Sequence, residues 1–209
     1  MALSINTNIS ALNNQAQLRQ TEQAKQKVLA QLASGKSINS AADNAAGLAV
    51  AEGLRSLQLG DTQGIRNAYD GVSLTQTADG ALSQITQNSQ RLEELAVQAG
   101  NGTLSAENRA ALQKEADQLT QANSQIIEST TFNGQQLFNG GSTSTFQVGG
   151  QGSASEQLSV TAPDLTSGAS RLNGYNSNGT ATGTIDLSNP GAALSQIQSD
   201  LKQLGSYRA

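Results

Sequence analysis

Small and aliphatic residues recur at alternating steps of three and four through Val50, Leu54, Leu57, Ala68, Val72, Ala78, Leu82, Ile85, Leu92 and Ala96, with polar residues between them. That spacing is the period of a coiled coil, and it predicts a long helix that must cover its stripe with partner helices. An earlier block, residues 4 to 33, steps through Ile5, Ile9, Leu12 and Ala16 and resumes at Val28, Leu29 and Leu32. Its middle is polar, with Gln15, Gln17, Arg19, Gln20, Gln23 and Gln26. So narrow a stripe buries too little to hold a helix alone, and this segment is expected to order only within an assembly.

Between the two blocks, Gly35 stands where a helix end needs positive φ, and Ser40 or Asp43 is placed to cap the next helix. The second helix is predicted from about residue 44 to 99, a rod of about 80 Å at 1.5 Å per residue. Gly60, Gly64, Gly71 and Gly80 lie inside it, each costing up to about 1 kcal/mol against Ala. Local softness and close approach of a neighbouring backbone both account for them. Ala99-Gly100-Asn101-Gly102-Thr103 ends that helix, and Ser105 with Glu107 opens a third, to about Ser129. Leu112, Ala116, Leu119, Ala122 or Asn123, and Ile126 continue the seam. The connection is short, so the third helix must return antiparallel as a helical hairpin.

The period then changes. Asn133-Gly134 and Asn139-Gly140 are turn signals, and Thr145–Val148 and Leu158–Val160 alternate as strands do. Residues 163 to 184, rich in Gly, Ser, Asn and Thr, read as exposed loop. Ser188-Asn189-Pro190 starts a last helix with its stripe at Leu194, Ile197, Leu201 and Leu204, and the stripe predicts a continuation beyond Ala209. The fold class is mainly α: an elongated antiparallel helical hairpin or coiled-coil rod with a small β-hairpin-rich element. Its segments are 1–35, a linker at 36–43, a helical rod at 44–140, a β/loop region at 141–187 and a helix start at 188–209.

Composition narrows the chemistry. The 209 residues include no Cys, His or Trp, three Tyr, three Phe, and a formal net charge of -4. A core built from Ala, Leu, Ile and Val suits paired helices. Lys and Arg are scattered, so no basic footprint for nucleic acid or an anionic membrane exists, and neither partner is expected. No apolar run approaches a membrane span, and Met1–Asn8 lacks the features of a cleaved secretory leader, so any export must use another route. Without His or Cys, catalysis would fall to Ser, Thr, Lys, Tyr and the carboxylates Glu93, Glu94, Glu107, Glu115, Asp117 and Glu128. These sit along helix faces, where the ordinary role is solvation and pairing. Gly149-Gly150-Gln151-Gly152 lacks the lysine and hydroxyl of a phosphate loop and reads as a turn. No enzyme activity, metal or cofactor is expected.

The segments LSINTNISALN, LASGKSINSAADNAAGLAVAEGLRS, NAYDGVSLTQTADGALSQI, RLEELAVQAGNGT and FNGQQLFNG, in order over residues 2 to 140, resemble bacterial flagellin. The resemblance implies that residues up to about 35 are the helix lining the filament's inner tube. It makes 44–130 the hairpin of the middle layer, and 140–187 a reduced variable region. It implies a structural subunit that is exported unfolded, self-assembles at the filament tip, and meets an export chaperone and cap or junction proteins on the way. Ile5, Ile9, Leu12, Val50, Leu54 and Leu57 are then subunit-packing positions. It also places an innate immune receptor epitope at Gln90, Arg91 and Leu95, with Glu115 on the adjoining helix, although Arg91 alone would read as a solvated arginine paired with Glu93 or Glu94.

The sequence departs from the family at its carboxyl end, where ALSQIQSDLKQLGSYRA resembles only the opening of a long return helix. A truncated form explains this better than a natural short relative, because Ile5, Ile9 and Leu12 otherwise lack an intramolecular partner. A hook–filament junction protein is the nearest alternative, and the continuous match through RLEELAVQAGNGT argues against it. A secreted binding module gripping a ligand with residues 163–184 would need an aromatic platform, and only Tyr175 is there to build one.

Overall fold

The structure is a computed structural model that describes residues 8–168, 171–173, 175 and 185–208. It divides into two units, residues 1–59 and 60–209. Four helices, α1 (Ile9–Ser34), α2 (Ala41–Ala99), α3 (Ala106–Ser129) and α4 (Pro190–Arg208), accompany two antiparallel strand pairs among the described residues. The pairs are β1 (Thr131–Phe132) with β2 (Gln135–Gln136), and β3 (Thr143–Gln147) with β4 (Gln157–Thr161).

In the first unit, α1 is capped at both ends. Asn8 accepts from Ala11 N–H at its start, and Gly35 takes φ 66 at its end. Not one α1 residue is buried. The linker is held by a polar lattice: Asn39 Nδ2 donates to Ala30 O, Gln31 Nε2 donates to Ser37 O, and Lys27 pairs with Asp43 at 2.9 Å. Lys27, then the backbone N–H groups of Asn39 and Ser40, hold the Asp43 carboxyl below its ordinary range. Asp43 therefore organises the linker, and the cap of the long helix is Asn44, which is non-helical and accepts from Gly47 N–H at 2.8 Å. A Cβ on Gly47 would sit 2.8 Å from both the Asn44 side-chain nitrogen and Ile38 Cδ1, so a larger residue there displaces those two side chains.

In the second unit, α2, α3 and α4 form a three-helix bundle. Asn88 bonds to Asn123 and Arg91 to Glu115, so α3 runs antiparallel to α2. Gln198 bonds to Glu93 and Arg208 to Asp79, so α4 also runs antiparallel to α2. One apolar cluster joins Leu92, Leu95, Ala96 and Ala99 of α2 to Ala116 of α3 and to Ala193 and Ile197 of α4. The other centres on Leu82, Ile85, Ile127 and Leu204 with Leu137 and Phe138 from the turns after α3. Gln113 fastens the approach to α4, donating to Ile185 O and accepting from Leu187 N–H. Asn133 (φ 50) and Gly134 (φ 79) make the tight turn of the first hairpin.

Residues 163–184 are not simply exposed. Of those described, Leu165, Leu172 and Tyr175 are buried in the second of these clusters, with Leu82, Ile85, Leu137 and Phe138, and Tyr175 Oη donates to Glu128. They are isolated apolar residues in a polar run, so no period announced them. Residues 169–170, 174 and 176–184 lie outside the described set.

The covered face of α2 differs from the expected seam in one stretch. Leu82, Ile85, Leu92 and Ala96 are buried as expected, whereas Val72 is half exposed and the covered positions beside it are Gly64, Gly71 and Leu74. The β3–β4 hairpin lies on this stretch. A Cβ on Gly64 would fall 2.2 Å from Val148 O, and one on Gly60 would fall 2.6 Å from the Gly150 Cα. Gly71 faces the Phe146 ring, and Asn67 Nδ2 donates to Gln147 O at 2.8 Å. These glycines therefore mark backbone approach, but Gly80 meets nothing. Gly80→Ala should raise the melting temperature through helix propensity, by about 1 kcal/mol or 2–4 °C. Gly64→Ala gains the same propensity yet should lower it by a similar amount or more, because the hairpin must lift; a rise in both variants would show that the hairpin is not held by close approach.

Candidate functional site

Two surfaces carry the residues singled out from the sequence. On the bundle, Arg91 projects from α2 between two carboxylates. Its Nε and Nη2 donate to Glu115 Oε1 on α3 at 3.0 and 2.8 Å, and its Nη1 donates to Glu94 Oε2 at 2.7 Å. Glu94 foremost, then Glu115, raises the guanidinium above its ordinary value, so the group is a permanent cation. All three side chains remain about half exposed or more, at 48%, 44% and 67% for Arg91, Glu115 and Glu94. The fork is thus pre-set but still open to a partner.

Gln90 is exposed beside Arg91. Leu95 is not: it is fully buried in the bundle core with Leu92, Ala96 and Ala99. The expectation that Leu95 belongs to the outward face is corrected by helical stepping, since three residues from Leu92 returns to the core side. The exposed apolar residue of this face is Val97, 63% accessible, which lines a shallow depression with Gln90, Glu93 and Glu94. Its spacing of seven from Gln90 and three from Glu94 was the available signal.

The second surface is the uncovered stripe. On α1, Ile9, Leu12, Leu18, Val28, Leu29 and Leu32 are all more than half exposed. On the first part of α2, Val50 and Leu54 are exposed at 63% and 61%, while Leu57 is half-buried. Ile5 lies outside the described residues. In the second unit, Ile65, Tyr69 and Val72 form a further exposed stripe on α2. Among the described residues, no group of three His, Cys, Asp or Glu is placed to hold a metal, and no helix is long and apolar enough to cross a membrane.

A family model for the bacterial flagellin N-terminal helical region matches residues 5–143. The chain belongs to the flagellin family. Flagellin E of Vibrio cholerae serotype O1 is 41% identical over 161 residues, which cover 77% of this chain and 43% of that relative. Flagellin B of Vibrio anguillarum is 37% identical over 175 residues, 83% of this chain and 46% of that relative. The crystal structure of Bacillus cereus flagellin superposes with a TM-score of 0.56 at 28% identity, covering 68% of this chain and 78% of the other. The chain spans less than half the length of the curated flagellins it matches. The helical fold with small strand pairs is therefore a flagellin fold.

The Arg91 fork contributes little to the stability of this flagellin fold, because exposed pairs trade one set of solvated contacts for another. Arg91→Ala should leave the melting temperature unchanged within error. A drop of several degrees would show that the fork is part of what holds α2 to α3.

Proposed function

We propose that this chain acts as a structural subunit of the bacterial flagellar filament, exported unfolded and ordered by burial against other subunits. The observation that supports this best is the exposed apolar stripe of α1, none of it buried, together with exposed Val50 and Leu54 on α2. Burying one such side chain stabilises by about 1.5–3 kcal/mol, so a ribbon of them repays the ordering entropy once neighbours arrive. An unfolded passage suits a chain with no cysteine to cross-link and a first helix with no core to dismantle. Export chaperone, cap and junction proteins are the partners this reading implies on the way, and the filament outside the cell is where the chain works.

The same reading makes Gln90, Arg91 and Glu115 a contact surface for a host innate immune receptor, with Val97 as its apolar neighbour. A permanent cation held in fixed geometry beside an exposed aliphatic residue fits an interface anchor.

Assembly is tested by offering the labelled chain, together with a carboxyl-terminal flagellin segment, to filament seeds. Leu12→Asp and Leu54→Asp should each cut incorporation by about tenfold or more while the bundle melts as before. Incorporation equal to that of the parent chain would contradict the stripe as the assembly surface. In a receptor reporter assay, Arg91→Ala should reduce activation strongly with no change in melting temperature, and an unchanged response would remove Arg91 from the surface.

A further inference from the structure

Asparagine is a labile residue, and a glycine after it makes it more so. Glycine has no side chain to shield its backbone nitrogen, which can attack the asparagine side-chain amide when its N–H is free and the side chain can turn. The sequence has five such pairs, beginning at Asn101, Asn133, Asn139, Asn173 and Asn178. Asn178 and Gly179 lie outside the described residues, as does Gly174 after Asn173.

Of the described asparagines in these pairs, all but one are tied down. Asn101 Oδ1 accepts from the Thr103 N–H at 3.1 Å and from its hydroxyl at 2.9 Å, in a turn closed by Leu104 N–H donating to Asn101 O. Asn139 Nδ2 donates to Gln136 Oε1 at 3.0 Å, its Oδ1 accepts from the Thr166 hydroxyl, and the Gly140 N–H that would attack it bonds to the Asp164 carboxylate. Asn173 Nδ2 donates to Asp200 Oδ1 at 2.7 Å, and its backbone N–H donates to the same oxygen at 3.0 Å. Asn133 is different. It is exposed, and neither its side chain nor the Gly134 N–H has a hydrogen bond among the described residues. The space beside Gly134 is open, since a Cβ there would meet nothing within 4 Å. The pair also forms the tip of a hairpin whose strands, β1 and β2, are two residues each, so little structure resists its rotation.

We propose that Asn133 is a covalent modification site, where the folded chain deamidates through a cyclic imide. The Gly134 nitrogen gives its proton to hydroxide and bonds to Asn133 Cγ. The Cγ–Nδ2 bond then breaks, and the departing nitrogen takes a proton from water and leaves as ammonia, which regenerates the hydroxide. Water opens the ring. Cleavage of the new bond at Cγ yields aspartate, whereas cleavage at the main-chain carbonyl yields isoaspartate, in which the chain runs through Cβ and Cγ. Isoaspartate therefore inserts a carbon into the turn that sets the pairing of Phe132 with Gln135 and of Thr131 with Gln136. Directly after that pairing come Leu137 and Phe138, both fully buried, with Leu137 N–H donating to Thr130 O at 3.1 Å. A change at the exposed tip is thus passed through two short strands to side chains of the core.

The test uses the whole chain, incubated at mildly alkaline pH in native buffer and in parallel in denaturant. Fragment-ion mass spectrometry then places each acid that has replaced an amide on its residue. In the native chain Asn133 should be modified ahead of Asn101, Asn139 and Asn173, with isoaspartate among its products, and in denaturant that lead should narrow. Modification of any of those three ahead of Asn133 in the native chain overturns the proposal, as does an Asn133 that stays intact there while the denatured chain is modified. An undiminished lead in denaturant overturns it too, because local sequence and not the fold would then select the site. Aspartate without isoaspartate would mean direct hydrolysis of the amide and contradicts the cyclic route.

Discussion

The structure depends on one constraint: a long amphipathic helix must have its stripe covered, and the kind of cover decides which residue stands at each step. Along α2 the cover changes several times. From Leu74 to Ala99 it is the side chains of α3, α4 and the turns after α3, and the stripe there is built from Leu, Ile and Ala. From Gly60 to Gly71 it is the hairpin, in part its bare backbone, and the stripe becomes glycine. At Val50 and Leu54 the stripe is aliphatic and lies open to solvent. Glycine in the middle of a helix looks like a defect by propensity alone, yet at Gly64 any Cβ would collide with a carbonyl oxygen.

Much of this was legible in the sequence, for physical reasons that can be named. The breaks at Gly35 and Gly100, the Ser105 cap, the Asn133-Gly134 turn and the Pro190 start each rest on a local backbone preference, and the structure has each of them. The strands β3 and β4 were visible as alternation, which in β3 matches a covered face carrying Ser144 and Phe146, whereas Leu158 of β4 is exposed. What could not be seen depends on contacts remote in sequence. Ala68 and Val72 looked like seam positions because they are apolar, whereas the covered face passes through glycines that carry no hydrophobic signal. Leu165, Leu172 and Tyr175 enter the core from a polar run with no period to reveal them.

The candidate site shows the same division. That Arg91 would pair with Glu94 follows from their spacing on one helix, and its pairing with Glu115 follows once the hairpin is antiparallel. The family motif sets Leu95 close to Arg91 in sequence, whereas its helical angle turns it into the bundle core. Polar groups inside the bundle were the least legible of all: Asn123 stood in the sequence as one of two alternatives for a seam position, and nothing local showed that Ser89 and Asp200 would meet it. They line one small cavity between α2, α3 and α4, among apolar residues of both clusters.

A chain built this way has a stable part that needs no partner and a ribbon that does. The bundle buries its stripe internally, while α1 has caps at both ends and no buried side chain. Hydrogen exchange of the isolated chain, followed residue by residue, tests this division most directly. The account predicts slow exchange for the amides of residues 82–99, 116–127 and 193–204, and exchange close to that of an unfolded peptide for residues 12–34. Protection of residues 12–34 equal to that of the bundle, in a chain shown to be monomeric, would contradict it.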